Sequence, residues 1–172
     1  MKRIAVFLVA ALAMGSSVGV GLVSSGHVLA ATSSPLDQLL PLVGEWEGTG
    51  SNGHAVKLTY TLVSGGTALM EKLSPSGEPE MITIYTVDGD HLRVTHYCSS
   101  GNQPEMETAA IKGTAKEFWF AVTSVKGMKT SDEGHMTNLV LKMVDRDHIT
   151  QEWTSLENGK KQSSLFKYTR KS

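Results

Sequence analysis

From Gly44 onward the chain is cut into short runs, none longer than ten residues, rich in β-branched and aromatic side chains and closed by turn-forming residues. The ten runs are 44–50, 54–63, 67–73, 80–87, 91–98, 105–112, 116–123, 135–144, 148–155 and 161–169. Runs of this length, bounded by Gly, Ser, Asn and Asp, are strand signals and leave no room for packed helices. Most breaks have hairpin length, so neighbours in sequence should be antiparallel neighbours in space. The 172 residues suit a single domain. Ten meandering strands in one domain predict an all-β fold, a ten-stranded antiparallel up-and-down β-barrel, rather than a sandwich. One short helix should precede it within residues 31–43. Ser34 is placed to cap it and Pro35 to open it, and Leu36, Leu39 and Leu40 line one side before Pro41. The barrel domain is then 44–172.

The first thirty residues read as a cleaved signal peptide. Lys2 and Arg3 form a positive start, Ile4 to Met14 is an unbroken apolar run, and Val28-Leu29-Ala30 precedes a cleavage point before Ala31. Gly15, Ser16, Ser17, Gly19 and Gly21 dilute the stretch as a lasting anchor, so no stable membrane insertion is expected after cleavage. The expected location is the periplasm or the exterior. Cys98 is the only cysteine, so no internal disulfide can form and stability must come from the core. With 16 basic against 17 acidic residues the net charge is −1, which offers no basic footprint for nucleic acid.

Alternation assigns the faces. In 54–63, Val56, Leu58, Tyr60 and Leu62 share one side. Across Gly65-Gly66 they pair with Leu69, Glu71 and Leu73, which turns Glu71 inward. A three-residue loop at Asp88-Gly89-Asp90 pairs Ile82 and Ile84 with His96 and Val94. Ile82, Ile84, Leu92, Val94, His96 and Cys98 then face in, and Tyr85, Arg93, Thr95 and Tyr97 face out. A two-residue turn there would slip the register. The loop at Asp145-Arg146-Asp147 places His135, Leu139, Leu141, Met143, Ile149, Gln151 and Trp153 inside.

Gly44-Glu45-Trp46 opens the first strand directly after the helix, and Arg170 follows the last. This resembles the signature of the calycin superfamily, which includes lipocalins, fatty-acid-binding proteins, avidins and nitrobindin-like barrels. There a Gly-x-Trp packs against a basic side chain of the final strand, a cation–π contact worth ~0.5–2 kcal/mol. Ten strands and the opening Pro41-Leu42-Val43-Gly44-Glu45-Trp46-Glu47-Gly48 look most like the nitrobindin-like branch. Thr95-His96-Tyr97-Cys98 with Gly101-Asn102-Gln103-Pro104 is similar to a stretch of uncharacterised exported bacterial lipocalin-like proteins. So are Gly134-His135-Met136, Asp147-His148 and Glu152-Trp153. The nitrobindin-like family holds haem through a histidine on its last strands. The run 161–169 contains none, so haem here would need another histidine.

His96 and Cys98, two apart on one strand, project the same way and could act as a ligand pair, as a redox thiol beside a base, or as plain core. His135, Glu71 and His96 could form a metal-holding set, or with Tyr60 and Gln151 a buried polar network. Trp153 would help to line an apolar lumen. Asn102 and Gln103 would sit on one rim, either touching an entering ligand or serving the turn. No serine-hydrolase elbow, zinc-protease helix, phosphate loop or Cys-x-x-Cys is present. The leading expectation is an exported, lipocalin-like barrel that binds a small apolar molecule in its lumen. The alternative is a haem- or metal-binding barrel handling reactive nitrogen or oxygen species.

Overall fold

A computed structural model describes residues 34–50 and 53–172. The expected leader, residues 1–30, lies outside them. Ten strands form a closed antiparallel barrel: β1 (Gly44–Thr49), β2 (Ala55–Val63), β3 (Ala68–Pro75), β4 (Met81–Asp88), β5 (His91–Tyr97), β6 (Gln103–Thr108), β7 (Glu117–Lys126), β8 (His135–Met143), β9 (His148–Glu157) and β10 (Lys160–Arg170). Each pairs with its sequence neighbours, and β1 pairs with β10 to close the ring. Closure leaves no sheet edge with unpaired backbone groups, which is the liability of an open sheet of this size. At the seam Trp46 stands opposite Arg170.

The helix is a 3₁₀ helix, Pro35–Leu42. The Ser34 hydroxyl accepts from the Leu36 N–H at 3.3 Å, and the Asp37 carboxylate accepts from the Ser34 N–H at 2.8 Å. The helix runs on through Pro41 instead of stopping before it. Three residues per turn stack Leu36, Leu39 and Leu42 on one line, and all three are buried while Leu40 is exposed. That line packs on β3, β4 and β5 and covers one end of the barrel. Gln38 ties it to the loop at 109–116, accepting from the Ala115 N–H at 2.7 Å and donating to the Gly113 carbonyl at 3.0 Å.

Three local departures from the expected pattern matter for the interior. The β4–β5 connection is a two-residue turn, with Asp88 opposite His91 and Gly89 at φ +61°. Thr83 and Tyr85 therefore stand opposite His96 and Val94 and point inward, while Ile82 and Ile84 are only half-buried. Tyr85, expected outside, is fully buried, because a slip of one residue exchanges the two faces of a strand. In β8 a bulge between Met136 and Asn138 breaks the alternation. Met136 packs against the core, whereas His135 Nδ1 bonds the Glu133 carbonyl at 2.9 Å. Finally, β6 ends at Thr108, short of the expected run, and β7 continues to Lys126.

Candidate functional site

The end of the barrel away from the helix contains a cavity of about 250 Å³. Its apolar wall comes from Val56, Leu73, Met81, Met136, Phe166 and Trp153, contributed by β2, β3, β4, β8, β10 and β9. His96 of β5 also lines it, its ring 4.7 Å from that of Trp153. The His96 side chain is buried, and its Nε2 has no hydrogen-bond partner. Its Nδ1 lies 2.9 Å from Thr83 Oγ1.

Behind His96 runs a buried polar network. Thr83 Oγ1 donates to Glu71 Oε1 at 3.3 Å, and the Tyr85 hydroxyl donates to Glu71 Oε2 at 2.6 Å. Gln151 Nε2 donates to the same Oε2 at 2.6 Å and to the Tyr60 hydroxyl at 2.8 Å. Gln151 Oε1 accepts from Trp153 Nε1 at 3.2 Å and from the Tyr168 hydroxyl at 3.3 Å. Six strands thus contribute to one network centred on the Glu71 carboxyl group. Pairing in register places it: Tyr60 faces Glu71, and Glu71 faces Thr83.

Burial drives the electrostatics. It lowers the His96 pKa to about 4, so the imidazole is neutral at physiological pH. Burial raises the Glu71 carboxyl above its ordinary value, against hydrogen bonds from Tyr85, Tyr60, Gln151 and Thr83 that pull it down. Tyr60, Tyr85 and Tyr168 are all pushed well above the usual phenol range, chiefly by burial and next by the Glu71 charge.

The structure therefore brings together Tyr60, Glu71, His96, Gln151 and Trp153. Cys98 is not among them: it sits just after β5, where it does not line the cavity, and Ser100 Oγ donates to its sulfur at 3.1 Å. His135 is separated from the network by the β8 bulge. Asn102 is fully buried, and its Nδ2 donates to the Gly134 carbonyl at 2.9 Å, joining two loops on the rim. Gln103 Nε2 donates to the Gly101 carbonyl at 2.7 Å. Neither lines the cavity. Gly44, Trp46 and Arg170 lie at the helix-covered end. Sequence reasoning missed Thr83, Tyr85 and Tyr168. The first two follow from choosing a two-residue turn after Asp88, and the third from alternation along β10.

The cavity is smaller than the ~300–1,000 Å³ typical of drug-sized ligands. Among the described residues no three His, Cys, Asp or Glu side chains are grouped to hold a metal ion.

No protein-family model and no curated protein matches this chain. One similar solved structure is a protein of unknown function from the DUF3598 family of Nostoc punctiforme, at 16% identity and a TM-score of 0.52. The match covers 76% of this chain and 48% of that one, so the chain spans about half the length of that neighbour. The likeness is one of fold alone.

Proposed function

We propose that this protein binds a small, largely apolar molecule in the open end of its barrel, held in orientation by a hydrogen bond to His96 Nε2. One observation carries the reading: a buried imidazole nitrogen with no hydrogen-bond partner, on a histidine that lines a cavity walled mainly by apolar side chains, with His54, Glu78 and Ser164 also on its lining. An unsatisfied buried polar atom costs about 1–3 kcal/mol, and a ligand group bonded to it recovers that cost. The volume sets the size. Benzene fills a cavity of about 150 Å³, so about 250 Å³ takes a single ring or short chain with one polar substituent. The resemblance to lipocalin-like barrels supports the same reading, and the sequence of Met1–Ala30 supports export to the periplasm or beyond.

Native mass spectrometry of protein purified gently from its own host tests the binding directly. The expected result is a copurifying small molecule that is lost from a His96→Leu variant. An empty barrel from every preparation would remove the proposal. Terminal sequencing of the same material tests export, with a mature chain starting at Ala31 expected.

A further inference from the structure

The polar anchor has a direction, and the network behind it sets that direction. Thr83 has one hydroxyl proton and lies between Glu71 Oε1 and His96 Nδ1, at 3.3 and 2.9 Å. It donates to one and accepts from the other. The choice is made deeper in the barrel. The Trp153 indole can only donate, and it reaches Gln151 Oε1, as the Tyr168 hydroxyl also does. The amide is thereby turned so that its nitrogen faces Glu71 Oε2 and the Tyr60 hydroxyl. Oε2 thus receives the Gln151 N–H and the Tyr85 O–H, both at 2.6 Å, and Oε1 has the Thr83 hydroxyl beside it.

A group surrounded by donors in this way is matched by an ionised carboxylate, which only accepts. Thr83 then gives its proton to Glu71, and His96 must give its Nδ1 proton to Thr83. That leaves His96 Nε2 with a lone pair and no hydrogen. From this we infer that the cavity selects ligands that offer an O–H donor, small apolar alcohols or phenols, over ligands of the same shape that offer only an acceptor. The inference rests on the binding reading given above, and it adds the polarity of the ligand. The neutral imidazole that it requires agrees with the depth of burial; for the ionised carboxylate that it also requires, burial works against the charge and the hydrogen bonds from Tyr85, Tyr60, Gln151 and Thr83 work for it.

Two measurements on the full chain separate the inference from that reading. Long-range ¹H–¹⁵N correlation spectra of the unliganded protein report which His96 nitrogen carries the proton, with no ligand involved. Calorimetry with cyclohexanol and cyclohexanone compares a donor with an acceptor of nearly equal size. The expected results are an unprotonated Nε2 and about tenfold tighter binding of the alcohol, the worth of one buried hydrogen bond. Glu71→Gln turns an amide N–H toward Thr83, reverses the chain and moves the proton to Nε2, so the ketone should then bind better. If this variant does not fold, the spectra of the unaltered protein still decide the matter. A proton on Nε2 of the unaltered protein, or equal binding of the two probes, overturns the inference and leaves the cavity as a binding site. An unprotonated Nε2 with neither probe bound overturns the assignment of ligand class.

Discussion

Arg170 lays its guanidinium 4.1 Å over the ring of Trp46, across the seam where the last strand meets the first. The same guanidinium donates to the Val43 and Pro41 carbonyls, and the Trp46 indole donates to the Leu42 carbonyl at 2.8 Å. Ring closure and the end of the helix are thus fastened by one pair of side chains. Arg170→Ala should lower stability by about 2 kcal/mol, seen in urea unfolding as a lower midpoint at unchanged slope. Arg170→Lys should recover less than half of this, because an ammonium lacks the planar fork that reaches two carbonyls while stacking.

Gly48 is the second fastening of the seam. A Cβ at this position would stand 2.0 Å from the Lys167 carbonyl oxygen, so β1 and β10 approach closely only because the side chain is absent. Gly48→Ala should destabilise by ~3 kcal/mol or more through forced separation of the two strands. Gly77→Ala has a positive φ of 80° but open space around it, and should cost only the backbone strain of about 1–2 kcal/mol. Thermal unfolding of the two variants side by side checks the difference.

The depressed His96 pKa predicts acid sensitivity. Between the ordinary value of 6.5 and the folded value of about 4, the unfolded chain binds a proton that the folded chain does not. This contribution to stability is complete above pH 6.5 and is lost as the pH falls toward 4, for a total of about 3 kcal/mol. Glu71, raised by burial, works in the opposite sense: the folded chain holds its proton more readily than the unfolded one. Comparing the unaltered protein with His96→Gln isolates the histidine. Denaturant midpoints measured from pH 7 to pH 4 should fall less steeply in the variant.

Filling the cavity should abolish binding without unfolding the barrel. Met136 is only half-buried and lines the cavity, so Met136→Trp puts bulk into the open end while the network around Glu71 stays intact. The expected cost is about 1–3 kcal/mol of stability. Circular dichroism should retain the strand signal while titration with cyclohexanol gives no heat.

Run lengths and turn residues alone determined the ten strands, their order and the inward position of Glu71, because short hairpin connections force adjacent strands to pair antiparallel. The Trp46–Arg170 contact was expected only through the resemblance carried by Gly44-Glu45-Trp46 and Arg170, and the closed barrel brings the two side chains together. Tertiary structure decided what local pattern could not. The turn after Asp88 has two residues rather than three, and this sends Thr83 and Tyr85 inward to Glu71 in place of Ile82 and Ile84. Two isoleucines inside would look as good to an alternation rule. The actual register brings the Thr83 and Tyr85 hydroxyls to a buried carboxyl that would otherwise lack both donors, a cost that outweighs exposing part of two aliphatic side chains. The bulge that removes His135 from the lumen is equally invisible in sequence, because one unpaired residue in β8 leaves the composition of the strand unchanged.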